Sequence, residues 1–313
     1  MTSETILVTG ANGQIGSELV LALRKIYGED KVIASDIREN DTDTRFETLD
    51  ITDGNRLHEL IQKNKVTQIY HLAALLSGTS EKNPALAWKI NMEGLFSVLE
   101  NTVQHNINKV FFPSSIAIFG PNSPKINTPQ FCNTDPTSIY GISKLAGEGW
   151  ARYYNLKKNT DIRSVRYPGL ISYKTKAGGG TTDYAVDIYF EAKEHKKYTC
   201  FLEEDTYLPM MYMPDAIRGT IELMEASKES LSVKDSYNLS AMSFSPKEVC
   251  ASIQKIIPEF QIDYAPDFRQ AIANSWPQSI DASLASADWG WKPEFDLDKM
   301  SEDMLQHIVI EKA

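Results

Sequence analysis

Ile6-Leu7-Val8-Thr9-Gly10-Ala11-Asn12-Gly13-Gln14-Ile15-Gly16 is the stretch whose reading decides the fold. A short apolar run of β type enters a glycine-rich turn. Helix-type sequence leaves it, from Ser17 through Leu19, Val20, Leu21 and Leu23. Strand, turn and helix in that order make the first half of a dinucleotide-binding unit. A glycine in the turn lacks the Cβ that would hold a pyrophosphate away from the backbone. The helix start then presents free N–H groups and the positive end of its dipole. The spacing Gly10-x-x-Gly13-x-x-Gly16 departs from the more general G-x-G-x-x-G, and on its own it also describes an ordinary strand-to-helix turn. The rest of the chain has to decide.

Working outward, Gly28 is a plausible stop for the first helix, and Lys31 to Ser35 reads as a second strand with Asp36 at its end. Asp36 follows Gly16 by about 20 residues, the interval at which an acidic side chain accepts hydrogen bonds from the adenosine ribose hydroxyls. Its charge disfavours a 2′-phosphate, which tilts the reading toward NAD over NADP; Arg38 nearby argues the other way. Phe46 to Ile51 is a third short strand pattern, with Asp50 and Ile51 placed to approach the adenine. Gln68 to Ala74 is a fourth, and the small residues Ala73 and Ala74 after Leu72 let a cofactor lie close to the backbone. Pro84 to about Asn106 has apolar residues at helical spacing, and Lys109 to Phe112 is a fifth strand that runs into Pro113-Ser114-Ser115.

Strand and helix signals alternate throughout this half. The fold class expected is α/β, a Rossmann doubly wound parallel sheet with a smaller C-terminal α/β substrate-binding part. Residues 1–168 form the NAD-binding domain in this reading and 169–313 mainly the substrate-binding part. Segments near 207–225 and 236–240 are expected to return to the Rossmann core.

Composition limits the functions open to such a chain. Its 313 residues are 42% hydrophobic and 24% charged, ordinary for a globular protein. The net charge of −10 works against binding nucleic acid or an anionic membrane. Cys132, Cys200 and Cys250 are far apart, and no Cys/His cluster has metal-ligand spacing, so no metal is expected. Free thiols suit a reducing compartment. The first residues carry no basic-then-apolar leader, and no run approaches the roughly 18 consecutive apolar residues of a membrane helix. A cytoplasmic protein is the expectation.

Tyr140-Gly141-Ile142-Ser143-Lys144 is the second informative stretch. On a helix, Tyr140 and Lys144 share one face. An ammonium beside a phenol stabilises the phenolate and lowers the tyrosine pKa, and a phenol so tuned exchanges a proton with a substrate hydroxyl. Ser115 stands at the end of a parallel strand, the edge where α/β sheets bind ligands; its hydroxyl can hold the same substrate oxygen.

Taken together, Thr9-Gly10-x-x-Gly13-x-x-Gly16, Asp36, Asp50, His71-Leu72-Ala73-Ala74, Ser115, Tyr140-x-x-x-Lys144 and Arg166-Tyr167-Pro168-Gly169 resemble the extended short-chain dehydrogenase/reductase family. The resemblance implies a Rossmann fold with bound nicotinamide. It casts Tyr140 as acid/base, Lys144 as partner of Tyr140 and of the nicotinamide ribose, and Ser115 as holder of the reacting oxygen, with Ser114 an open alternative. It further implies that Asn91 lies in the proton-relay region and that Tyr167, Pro168, Gly169 and Leu170 pass beside the nicotinamide.

A finer resemblance covers nearly the whole chain. Leu75-Leu76-Ser77-Gly78, Pro113 to Pro121, Tyr167 to Ser172, Gly178 to Ala185, Tyr207 to Asp215 and Trp276-Pro277-Gln278-Ser279 look like the epimerase-like NAD-dependent L-threonine 3-dehydrogenases. That implies oxidation of L-threonine at C3, a homodimer packed through the helices around Pro84 to Asn106 and Ser143 to Tyr154, and threonine as the small-molecule partner. Gly178, Gly179, Thr181 and Thr182 offer backbone N–H groups and hydroxyls suited to a carboxylate. Leu76 and Ser77 line the same pocket in this reading, and Trp276 closes it. A nucleotide-sugar epimerase or dehydratase on the same scaffold is the nearest rival, and a non-catalytic NAD(H)-binding sensor is the rival from another class.

Overall fold

The computed structural model describes residues 4–175 and 180–310. In its first part, strands β1 (Ile6–Thr9), β2 (Val32–Asp36), β3 (Phe46–Thr48), β4 (Gln68–His71), β5 (Lys109–Ser115) and β6 (Ile162–Tyr167) interleave with helices. These are α1 (Gln14–Tyr27), α2 (Gly54–Asn64), α3 (Ser77–Lys82), α4 (Pro84–Trp88), α5 (Gly94–His105) and α6 (Ile139–Lys157). Then come β7 (Gly169–Ile171), α7 (Tyr184–Glu194), β8 (Lys197–Cys200), β9 (Leu208–Tyr212), α8 (Met213–Glu225), β10 (Tyr237–Asn238) and β11 (Met242–Phe244). The chain continues through α9 (Pro246–Gln254), β12 (Gln261–Tyr264), α10 (Arg269–Ser275), α11 (Ser283–Trp289) and α12 (Leu297–His307).

The large sheet has seven strands in the order β3-β2-β1-β4-β5-β6-β10. Every pairing from β3 to β5 is parallel, with Thr9 in register with both Ser35 and His71. Strand order reverses between β1 and β4, so the loops after these two strands part and leave a cleft over their C-terminal ends. Thr9, Asp36, His71 and Ser115 all stand at that edge as the last residues of their strands. This is the Rossmann doubly wound arrangement.

Burial on both faces explains the continuous apolar runs. Every residue of β1 and of β2 is buried, which removes the alternation a one-sided sheet would show. Leu7, Ile33, Ile69, Val110 and Phe112 cluster with Leu57, Leu60 and Ile61 of α2 and Leu95, Val98 and Leu99 of α5. Each such side chain contributes about 1.5–3 kcal/mol relative to exposure. α1 turns Leu19, Val20 and Leu23 inward.

The chain divides into two compact units. One comprises the chain through Ile118 together with Thr137–Arg166 and Gly219–Tyr237; the other comprises Phe119–Pro136, Tyr167–Arg218 and the chain from Asn238 onward. Of the two segments read as returning to the core, Tyr237–Asn238 joins the large sheet as β10 beside β6. From the 207–225 segment, residues 219–225 of α8 belong to the first unit, but strand β9 does not join its sheet. It is the middle strand of a separate sheet ordered β11-β9-β7, antiparallel to β11 and parallel to β7. Pro209 of β9 has no N–H to give to a ladder. Here β7 begins to pair only at Met210, so no donor is asked of Pro209 on that side. Strands β8 and β12 form a parallel pair in the second unit. Among the described residues no helix is long and apolar enough to cross a membrane.

Candidate active site

The turn after β1 is closed so tightly that only glycine fits at two of its corners. Gly10 has φ +70°, and a Cβ there would stand 2.6 Å from the Ala73 nitrogen. A Cβ at Gly16 would stand 2.3 Å from the Gly10 carbonyl oxygen. Helix α1 begins at Gln14 behind Gly13, which has no side chain to cap it, so the amides of its first turn, at Gln14, Ile15 and Gly16, are left for an anion. Leu72 and Ala73 complete the wall: the Leu72 N–H donates to the Thr9 carbonyl. Ala73 and Ala74 follow with their small side chains half-buried.

Asp36 is buried at the end of β2. Its Oδ2 accepts the Asn12 N–H and its Oδ1 the Arg38 N–H, both at 3.1 Å. Arg38 is folded back on the same group. Its Nη2 donates to the Asn12 carbonyl at 3.2 Å, Asn12 Nδ2 donates to the Arg38 carbonyl at 2.9 Å, and Arg38 Nε lies 3.5 Å from Asp36 Oδ1. The carboxylate is thus set in place with donors already converged on it. Asp50 is exposed, with Oδ1 accepting from the Thr52 N–H and hydroxyl, while Ile51 is buried against Gly94. A dinucleotide fits this arrangement: bare backbone at the glycines, an uncapped helix start, and a fixed carboxylate at the end of β2.

The second group of residues lies at the end of β5. Ser138 caps α6 by accepting the Gly141 N–H, which puts Tyr140 in the first turn and Lys144 one turn on. Helix α6 comes close to β5 because Gly147 leaves room: a Cβ there would stand 2.5 Å from the Phe112 ring. Ser115 accepts the Ala117 N–H at 3.2 Å, and its hydroxyl acts on the Tyr140 phenol, opposing the rise of that phenol's pKa. The neighbouring Ser114 has a different partner, donating to Glu148 Oε1 at 2.6 Å. Glu148 is a further turn along the stripe of Tyr140 and Lys144. It pairs with Arg166 of β6 through two bonds, Nε to Oε1 at 2.9 Å and Nη2 to Oε2 at 2.8 Å. Spacing alone marks Glu148 as a member of the stripe, and sequence reasoning passed it over.

Lys144 donates from Nζ to the Pro113 carbonyl at 2.8 Å and lies 4.8 Å from the Phe112 ring centre and 5.5 Å from that of Tyr140. The expected lowering of the tyrosine by this lysine is not what the geometry gives. Burial pushes the Tyr140 phenol up to about 12, with only the Ser115 hydroxyl pulling it down. Burial also pulls Lys144 down to about 7, so near neutral pH the lysine is itself giving up the charge that was to act on the phenol. Behind them His71, with Nδ1 3.0 Å from the Thr9 hydroxyl, is pulled to about 3 by burial and then by the Lys144 charge. It stays neutral throughout the working range.

Asn91 occupies a π-helical turn, Lys89–Glu93, that separates α4 from α5 where the sequence suggested one uninterrupted helix. Its amide is fully engaged. Oδ1 accepts the Leu75 N–H at 2.8 Å, and Nδ2 donates to the Leu75 carbonyl at 3.1 Å and to Ser143 Oγ at 3.3 Å. Ser143 in turn donates to the Tyr140 carbonyl. The residue therefore ties the loop after β4 to the first turn of α6. That loop leads into α3, where exposed Leu76 precedes half-buried Ser77, and Glu81 of α3 accepts the Ile139 N–H at 2.9 Å.

The remaining sequence-derived residues belong to the second unit. Tyr167 ends β6, Pro168 follows, and Gly169 and Leu170 open β7. Thr182 packs on Gly169, where a Cβ would lie 2.8 Å from the threonine side chain. Thr181 is buried, and Trp276 is buried just after α10. Gly178 and Gly179 lie outside the described residues.

Comparison with known proteins gives a consistent result. Residues 6–240 match the model of the NAD dependent epimerase/dehydratase family. An uncharacterized epimerase/dehydratase of Staphylococcus aureus is 50% identical over 309 residues, covering 97% of this chain and 96% of its own. Among solved structures, a GalE-like L-threonine dehydrogenase from Cupriavidus necator in its holo form superposes with a TM-score of 0.95 at 54% identity, covering 97% of this chain and 100% of that one. A monomeric L-threonine 3-dehydrogenase from a metagenome gives 0.94 at 49% identity, covering 97% and 98%.

Proposed function

The chain belongs to the NAD-dependent epimerase/dehydratase family, and from that premise we propose that it is an L-threonine 3-dehydrogenase. It oxidises L-threonine at C3 to 2-amino-3-oxobutanoate with NAD as its cofactor. The observation that carries the reading is the grouping of Ser115, whose hydroxyl acts on the Tyr140 phenol, with Tyr140 and Lys144. It occurs at the strand edge onto which the glycine turn opens, in a chain alike over nearly its full length to L-threonine dehydrogenases.

Gly10, Asn12, Gly13, Gln14, Ile15 and Gly16 hold the pyrophosphate in this proposal, and Asp36 holds the adenosine ribose. Asp50, Ile51, Leu72, Ala73 and Ala74 line the adenine side, and Tyr167 to Leu170 the nicotinamide side. When bound there, NAD⁺ supplies the hydride acceptor. The chain's own residues manage the oxygen. Tyr140 as phenolate accepts the C3 hydroxyl proton, while Ser115, whose oxygen already accepts the Ala117 N–H, turns its own proton toward the same oxygen. Ser114 is an unsuitable donor because its hydroxyl is given to Glu148. Lys144 holds the nicotinamide ribose. We assign Asn91 a positioning role through Leu75 and Ser143. Recognition of the amino and carboxylate groups goes to Leu76, Ser77, Gly178, Gly179, Thr181, Thr182 and Trp276.

A homodimer is part of the proposal. Phe96 of α5 and Trp150 and Tyr153 of α6 are exposed, yet they stack edge to face, Phe96 on Trp150 at 5.0 Å and Trp150 on Tyr153 at 5.8 Å. Trp88 is exposed on α4. Contiguous exposed aromatic surface of this kind marks an association face. A cytoplasmic location is supported by three cysteines, none of them in a disulfide among the described residues.

The test is NAD⁺ reduction measured with threonine, serine, simple alcohols and UDP-sugars. Turnover of threonine alone is expected. Turnover of a UDP-sugar would move the chain to the epimerases, and tight NAD⁺ binding with no turnover of any alcohol would make it a sensor.

A further inference from the structure

Lys125 holds the main chain on both flanks of Trp276, and we propose that it is a positioning residue for recognition of the amino-acid substrate. Its Nζ donates to the Ser275 carbonyl at 2.5 Å and to the Gly120 carbonyl at 3.0 Å. Its own carbonyl accepts the Gln278 N–H at 2.7 Å and the Ser279 N–H at 3.2 Å. The peptide plane between Ser275 and Trp276 is thereby fixed from both ends, because the Trp276 N–H also donates to the Ala273 carbonyl at 3.1 Å. A peptide plane so held sets the direction in which the indole leaves the backbone, and Pro277 removes freedom on the far side.

The rest of the strap runs alongside. The Asn127 N–H donates to Ser279 Oγ at 2.8 Å, the Thr128 N–H to the Ser279 carbonyl at 2.9 Å, and the Asp281 N–H to the Thr128 carbonyl at 3.1 Å. These backbone bonds survive any change of the Lys125 side chain, so the ammonium can be removed without dismantling the strap. A lysine serving only solubility would keep its head in water. This one gives two hydrogen bonds to carbonyls, and partial burial pulls its pKa below the ordinary value while the nearby Asp135 charge opposes that shift.

The inference rests on the reading of Trp276 as a wall of the threonine site, so the experiment separates the two. KM for threonine, kcat and the NAD⁺ Kd are measured for Lys125→Met, Trp276→Ala and the double variant. Lys125→Met is expected to raise KM for threonine by about tenfold or more through misplacement of the ring, with kcat and NAD⁺ binding close to native. In the Trp276→Ala background the same change is expected to do almost nothing, because the two side chains act through one contact. An unchanged KM in Lys125→Met, or an equal rise with and without Trp276, overturns the positioning role. An unchanged KM in Trp276→Ala overturns the reading of Trp276 instead. Lys125→Arg, which keeps donors and charge, is expected to hold KM near native, and Lys125→Gln to raise it; this pair decides the matter if the methionine variant does not fold.

Discussion

The Ser115 hydroxyl acts on the Tyr140 phenol as the one influence that opposes burial in setting the phenol's pKa. Oxidation needs the phenolate, so activity rises with pH as Tyr140 loses its proton. The starting point is a phenol near 12. Ser115→Ala removes the opposing influence, so the rising limb is expected to move to higher pH, with turnover down about 10²-fold. Ser114→Ala is expected to leave the limb in place. A pH profile of kcat for both variants checks this, and equal shifts would mean that the two serines share the role.

Tyr140→Phe keeps the ring and loses only the hydroxyl. Turnover is expected to fall by roughly 10²–10⁴-fold while NAD⁺ binding survives. Lys144→Ala is expected to lower turnover and weaken NAD⁺ together. Single-turnover hydride transfer with parallel cofactor titration is the measurement. Near-native transfer in Tyr140→Phe would show that another group takes the proton.

Asp36 sits among the Asn12 N–H, the Arg38 N–H and the Arg38 guanidinium. Three donors converging on a carboxylate would serve a phosphate equally well once the carboxylate is gone. With the carboxylate in place its charge repels a 2′-phosphate, so NAD⁺ is expected to be strongly preferred by the native chain. Asp36→Ser should weaken NAD⁺ and raise NADP⁺ use, and Asp36→Ser/Arg38→Ala should lose most of that gain. Steady-state kinetics with both cofactors settle it; a gain independent of Arg38 would show that repulsion alone sets the choice.

Arg166 and Glu148 form a buried bidentate pair, 6% and 4% exposed in their side chains. Arg166→Met leaves the carboxylate with only the Ser114 hydroxyl among its described side-chain partners, and is expected to cost about 3–5 kcal/mol. Denaturant unfolding reads this directly. A loss below about 1 kcal/mol would mean that Glu148 takes up a proton at little expense.

Trp150→Glu places a charge in the exposed aromatic surface of α5 and α6. A dimer in the native protein and a monomer in the variant are expected by sedimentation velocity. A native monomer, as in one solved relative, would remove the association proposal while leaving the active-site proposals standing.

Much of this protein is decided by interactions that stay within a strand, a turn or a helical turn, and these were legible in the sequence. The glycine turn is one, since the missing Cβ atoms at Gly10 and Gly16 follow from residue type alone. Asp36 at a strand end and the one-turn spacing of Tyr140 and Lys144 are others. What depended on distant segments was not legible. What distinguishes Ser114 from Ser115 is Glu148, held by Arg166 of β6, which accepts the Ser114 hydroxyl. The charge on Lys144 depends on how deeply β5 and α6 bury it, and that burial reverses the expected effect on Tyr140. The place of Leu208–Tyr212 depends on which strands compete for its edges. In each case the sequence determined the side chain and its local reach, and only packing determined its partner and its exposure to water.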